Sequence, residues 1–294
     1  METKASVYEI ITEQILTKLS QGTCPWRKPW SSLKASGGTR PRNLDNRCYS
    51  GSNWFLLTML DFERPIFGTF KQIQAHGGQV RKGEKGFPVI FWKQMTAKDE
   101  KTGEEKKIPM LRYYTVFNVS QCEGLELPAD ETTIEPVNQF QAIADAEAIW
   151  NGYQGKPSLK HGGDRACYIP SWDEINMPPT KAFEDPAMYY NTLFHEAGHS
   201  TGHTSRLNRE FGAKFGSELY SREELVAELS AAFLGAECGL DSTLDQSASY
   251  IKSWLKFLES DPKAFVLAAG KAQRAADLIL GRVKESPKSE EVAA

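Results

Sequence analysis

The feature that most constrains this chain is a five-residue run, His195-Glu196-Ala197-Gly198-His199, inside the apolar-periodic stretch YYNTLFHEAGHSTGH. A helix turns about 100° per residue, so histidines four apart share one face and can reach a single ion at about 2.1 Å. The glutamate between them stands beside the open coordination position. There it can take a proton from a water whose pKa the metal has lowered to near 7. With 5 His in 294 residues, H-E-x-x-H seldom arises by chance, and it marks metalloprotease helices. The spacing predicts a helix over 186–202, with His195 and His199 as metal ligands and Glu196 as general base.

A tetrahedral catalytic site needs a third protein ligand. His203 falls four residues after His199, behind Gly202, and misses the six-residue offset of three-histidine sites. The next amphipathic helix, predicted over 221–238, places Glu224 and Glu228 on one face among Leu225, Val226, Leu229 and Ala231. Burying such a pair is costly without a positive partner. One glutamate would bind the ion and the other would accept a ring N–H of a ligating histidine. Glu228 is the favoured ligand, because Glu224 sits in the first turn, where the helix dipole already accounts for an acidic residue. Glu224 stays as the alternative ligand or the orienting partner. Zn2+ is the expected ion, and another divalent metal such as Mn2+ also suits the donors. Tyr220 and Arg206 are candidate oxyanion helpers. The strand-like segment 165–177 (RACYIPSWDEINM) suits either an ordinary hairpin or an edge strand that pairs with an extended peptide.

Charge divides the chain. Residues 1–122 hold 19 Lys+Arg against 11 Asp+Glu, or +8, and the rest hold 16 against 27, or −11, which gives the net −3. A basic half concentrates polyanions around itself whatever its fold. Apolar periodicity predicts helices at 5–20, 54–62 and 69–76 and a long hairpin of 87–94 with 111–119. Beyond these come helices at 136–153, 186–202, 221–238, 247–259 and 262–281. The acidic, aperiodic stretch 123–136 reads as a linker. The expectation is therefore an α+β chain of two domains, a basic one over 1–122 and a mostly helical one over 137–282, followed by a disordered tail at 283–294. Five cysteines without a C-x-x-C pair argue against a disulfide framework and predict a reducing, cytoplasmic setting. No apolar run reaches about 18 residues, so neither a membrane span nor a leader is expected.

In the basic half, Trp26, Trp30, Tyr49 and Trp54 interleave with Arg27, Lys28, Arg40, Arg42 and Arg47. Single strands are bound by such sets, with bases stacking on rings while cations follow the backbone. A second segment, HGGQVRKGEKG at 76–86, puts Arg81, Lys82 and Lys85 on a glycine-rich loop that can approach phosphate closely. Single-stranded DNA is the expected partner. No helix-turn-helix or zinc-finger pattern supports duplex readout.

The stretches YEIITEQILTKLSQGTCPWRKPW, YSGSNWFLL, RKGEKG, FHEAGHSTGHTSRLNR and YSREELVAELSAAFL together resemble ArdC-type antirestriction proteins of conjugative plasmids, over about residues 6–280. The first half also resembles a segment of plasmid-encoded primases carried into recipient cells. Cys48 in DNRCYSGSN stands where the family has proline. The resemblance implies an N-terminal single-stranded-DNA-binding domain, a C-terminal zincin-like metallopeptidase domain, and protection of incoming plasmid DNA in the recipient. A protein substrate there would follow if the peptidase works. The rival reading is a DNA-covering protein whose metal site is structural or vestigial.

Overall fold

Ser6 starts the first helix, α1 (Val7–Ser20), by a reciprocal cap: its hydroxyl accepts the Glu9 N–H while the Glu9 carboxylate accepts the Ser6 N–H. The stripe Ile11, Ile15 and Leu19 is buried, as its spacing predicts. The computed structural model describes residues 6–27, 40–98, 105–125, 139–209, 217–240 and 248–282. Within the basic half follow β1 (Arg42–Asn43), α2 (Gly51–Thr58), β2 (Ile66–Thr69), α3 (Phe70–Ala75), β3 (Gln79–Val80), β4 (Phe87–Lys98), β5 (Glu105–Asn118) and β6 (Cys122–Glu123). The expected hairpin is present and longer than its apolar runs, since pairing continues from Phe87↔Val116 out to Lys98↔Glu105. The larger sheet has the order β1-β2-β5-β4, parallel only between β1 and β2, and β3 pairs with β6 apart from it.

Helix α2 is apolar nearly all round, which marks a helix buried on both sides. Leu57 joins Phe67, Val89 and Val116 against the sheet, while Trp54 and Phe55 turn to the C-terminal helices. Asn53 pins α2 to β4: its amide nitrogen donates to the Ile90 carbonyl at 2.7 Å and its oxygen accepts the Ile90 N–H at 2.8 Å. Both backbone groups of a strand residue are thereby satisfied by one side chain.

The second half comprises α4 (Gln139–Gly152), β7 (Ser158–His161), β8 (Cys167–Ile169), β9 (Glu174–Met177), α5 (Pro186–Ser200), α6 (Glu218–Cys238), α7 (Ala248–Ser260) and α8 (Ala264–Ile279). Its sheet runs β7-β9-β8, so β8 is an edge. Asp185 caps α5, accepting the Ala187 N–H at 2.7 Å, and Pro186 fills the first helical position. Gly239, with φ of 73°, takes the left-handed turn that ends α6.

The two halves share one core. Trp26 packs edge-on to Trp254 at 5.8 Å and against Phe265 at 6.0 Å, and Phe55 meets Phe233 at 4.8 Å. Each such buried side chain contributes about 1.5–3 kcal/mol by area, and these contacts join residues of 1–122 to residues of 137–282. The expected linker at 123–136 thus parts two stretches of sequence that build a common interior. Its residues 126–136, like the tail at 283–294, lie outside the described residues.

Candidate metal centre

Helices α5 and α6 approach closely at Gly198, where an added β-carbon would stand 3.1 Å from the Ala227 Cα and 3.1 Å from the Ser230 Cβ. This contact sets the histidine face of α5 against the glutamate face of α6. His195 and His199 bring their Nε2 atoms within 3.2 Å of each other. Glu224 faces both, with Oε2 3.5 Å from His195 Nε2 and Oε1 3.4 Å from His199 Nε2. Among the described residues these three form the one group of histidine, cysteine and acidic side chains clustered tightly enough to hold an ion. An ion with bonds of about 2.0–2.2 Å and tetrahedral angles has ligand atoms about 3.4 Å apart, which fits these separations.

The favoured third ligand, Glu228, does not sit in this position. Its Oε1 bonds Arg27 Nη2 at 2.9 Å and lies 3.9 Å from His195 Nδ1, on the far side of the imidazole from Glu224. Glu224 rather than Glu228 stands with the two Nε2 atoms, and Glu228 stands on the Nδ1 side of His195. Glu223, which spacing does not single out, lies 3.4 Å from His199 Nδ1 and is clasped by Arg209 at 2.6 and 2.9 Å. Four carboxylates (Glu196, Glu223, Glu224, Glu228) against two arginines (Arg27, Arg209) leave a formal −2, the charge that a divalent ion neutralises.

The titration directions agree. Burial opposes the charged form of both imidazoles, yet the facing carboxylates outweigh it, with Glu224 raising His195 and Glu223 with Glu224 pushing His199 up to about 10. Burial would raise the Glu224 carboxyl too, but His195 and His199 hold it well below the usual carboxylate range.

Glu196, 8% exposed, is on the same helix but outside the cluster, and its Oε2 accepts the Tyr168 N–H of β8 at 2.8 Å. The edge strand therefore lies beside the general-base candidate. Burial and the Glu224 charge push the Tyr220 phenol up to about 12. Arg206 is engaged elsewhere: it bonds the Ser200 and Gly155 carbonyls and pairs with Asp173, tying the end of α5 to the turn before β9. His203 bonds Ser205 at 2.8 Å and stays apart.

The aromatic and basic residues expected at DNA divide sharply. Trp26 is 1% and Trp54 2% exposed, both within the shared core, and Arg27 is 7% exposed and paired with Glu228. The structure corrects the expectation for these three, because rings that fill a core cannot stack on bases and a guanidinium held by a buried carboxylate cannot follow phosphates. Arg40 pairs with Glu237, and Tyr49 is half-buried, edge-on to Phe67. Arg42 is half-buried in β1, and Arg81, exposed, pairs with Glu84 at 2.7 Å. Arg47, Lys82 and Lys85 are exposed. Lys28 and Trp30 lie outside the described residues. The hairpin carries further exposed rings and cations. Trp92, 51% exposed, and Tyr113, 44% exposed, share one face of β4–β5, since their cross-strand partners are Leu111 and Ile90. Exposed Lys93 and Arg112 lie on the other face.

Residues 5–117 match the family described as the N-terminal domain of anti-restriction factor ArdC, and residues 144–271 match a zincin-like metallopeptidase family. The chain is 34% identical over 306 residues to the uncharacterized protein y4eC of Sinorhizobium fredii, covering 98% of this chain and 96% of that protein. It is 36% identical over 299 residues to a DNA primase TraC of Escherichia coli, covering 95% of this chain but only 27% of the primase. The crystal structure of the antirestriction ArdC protein from the R388 plasmid, solved metal-free and Mn(II)-bound, superposes with a TM-score of 0.74 in both states. Sequence identity is 36% and 35% respectively, over 95% of this chain and 98% of that one. With that likeness along nearly its whole length, the chain belongs to the ArdC antirestriction family, an ArdC N-terminal domain followed by a zincin-like metallopeptidase domain.

Proposed function

We propose that this chain is a plasmid antirestriction protein that binds single-stranded DNA through its basic half and hydrolyses peptide bonds at a divalent-metal centre. The observation that carries the enzymatic part is the convergence of two Nε2 atoms 3.2 Å apart on the Glu224 carboxylate. His195, His199 and Glu224 hold the ion. Zinc is the ion expected of such donors, and the Mn(II)-bound R388 structure supports manganese as an alternative. When bound, the ion supplies Lewis acidity and brings a water's pKa near 7.

The chain's own groups do the rest. Glu196 takes the proton; the Tyr168 N–H holds one of its oxygens, leaving the other for the transfer. A phenol raised to about 12 stays protonated at neutral pH, so Tyr220 can donate to an oxyanion as charge develops. The outer edge of β8 offers backbone groups to an extended peptide.

The DNA part rests on the exposed rings on one face of the hairpin and on exposed cations of the basic half, Lys93 and Arg112 among them on the hairpin's other face. Trp92 and Tyr113 offer stacking surfaces, while Lys82, Lys85, Lys93 and Arg112 follow phosphates. No described helix is long and apolar enough to cross a membrane. The test is a purified chain loaded with Zn2+ or Mn2+, assayed on denatured protein and on a labelled oligonucleotide. Metal-dependent cleavage abolished by Glu196→Gln supports a working peptidase. Metal uptake and DNA binding without cleavage selects the covering role instead.

A further inference from the structure

Each metal-facing imidazole turns its other nitrogen to a carboxylate that a buried arginine holds. For His199 the chain is local: Glu223 is gripped by Arg209, a few residues beyond α5. For His195 it is not. Glu228 is held by Arg27, 201 residues away, at 2.9 Å. Arg27 lies 3.8 Å over the Tyr250 ring, and the neighbouring Trp26 is sealed among Trp254 and Phe265. Burying a guanidinium in such surroundings is unfavourable unless its charge is used. The oxygen it meets at 2.9 Å, Glu228 Oε1, is also the one that faces His195 Nδ1.

We propose that Arg27 is a positioning residue of the metal centre, holding Glu228 beside His195 Nδ1 and away from the ion, and so aiming His195 Nε2. The proposal rests on the metal-centre reading. Without Arg27, the Glu228 carboxylate loses its countercharge in a pocket already rich in acid. It then turns toward the ion or loses its place, and in either case the histidine is no longer oriented by it. The basic half of the chain thereby supplies part of the metal site.

Metal affinity by chelator competition, with the visible spectrum of the Co2+-loaded full chain, tests this in the wild type, Arg27→Gln, Glu228→Gln and the double variant. Arg27→Gln is expected to weaken binding by about tenfold or more, as loss of an orienting partner does, and to alter the Co2+ spectrum. Arg27→Lys should restore most of the affinity. In the Glu228→Gln background, Arg27→Gln should cost nothing further. Equal losses in both backgrounds would mean that Arg27 acts only through the fold, and an unchanged affinity and spectrum would overturn the proposal as directly. If Arg27→Gln does not fold, Arg27→Lys completes the same cycle, with a smaller loss that again vanishes beside Glu228→Gln. A wild-type chain that takes up no divalent ion overturns the centre itself, a result distinct from a wild type that binds and variants that bind equally well.

Discussion

Gly198 and Ala227 bring two helices into backbone contact: a β-carbon on the glycine would lie 3.1 Å from the Ala227 Cα and 3.3 Å from its carbonyl oxygen. Both atoms are main chain, so they yield little. Gly198→Ala gains about 1 kcal/mol of helix propensity but overpacks a site where the cost is about 1–3 kcal/mol. The net expectation is a loss of stability in urea denaturation. Metal affinity should also fall, because the histidine and glutamate faces are pushed apart.

Ligand roles separate by elemental analysis. His195→Ala, His199→Ala and Glu224→Ala should each lose the ion, whereas Glu196→Ala should keep about one ion per chain with three ligands in place. Glu228→Ala should weaken binding less than Glu224→Ala does. The reverse order would restore Glu228 as the third ligand.

Protons and the ion compete for the same nitrogens. In the metal-free protein the facing carboxylates raise His195 and push His199 up to about 10, so at pH 7 the His199 imidazole carries a proton that an ion must displace. Calorimetry in buffers of different ionisation enthalpy should show proton release on metal uptake, with affinity falling as the pH falls. The stability sign is opposite. A raised histidine stabilises the metal-free fold fully below its unfolded pKa of about 6.5, and that contribution is lost as pH climbs through about 10. Melting temperatures in EDTA should therefore decline across that window, and a bound metal should remove the decline.

On a single-stranded oligonucleotide, Trp92→Ala and Tyr113→Ala should each weaken binding by about 1–3 kcal/mol while leaving the salt slope unchanged. Lys82→Ala with Lys85→Ala should flatten the slope of log K against log salt by about 0.7 for every phosphate no longer neutralised. Trp26→Ala should instead cost about 3–5 kcal/mol of folding stability. Fluorescence anisotropy across a salt series, beside a denaturation curve, distinguishes the three behaviours.

Proteolysis within 123–136 should leave the halves associated, because Trp26, Trp54 and Phe55 are locked among Phe233, Trp254 and Phe265. Nicked protein is expected to elute as one species on gel filtration and to melt in a single transition. Two separately eluting folded fragments would show that the shared core is dispensable.

Legibility in the sequence follows periodicity. The helix that carries the histidines is predicted at 186–202 and found at Pro186–Ser200, because a cap, a proline and an amphipathic stripe all act locally. The hairpin is readable from its alternation. CPWRKPW has no period, so nothing in it distinguishes a tryptophan that fills a core from one that stacks on a base. That depends on α7 and α8, far along the chain. Glu224 and Glu228 share one helical face, and spacing cannot separate them; what separates them is Arg27, which claims Glu228. Glu223 is hidden for the same reason, since its partner Arg209 lies before the start of α6.

The shared core also dictates an order of events during synthesis. The Trp26 indole and the Tyr250 hydroxyl that it meets at 3.4 Å are 224 residues apart. At about 5–20 residues per second, the nascent chain waits on the order of ten to forty-five seconds between making one and making the other. Throughout that interval the apolar faces of α1 and α2 await helices that have not left the ribosome. The newly made chain carries partly uncovered aromatic surface until α8 emerges, and a premature stop before α8 leaves Trp26 and Phe55 without the Phe265 ring that packs on both.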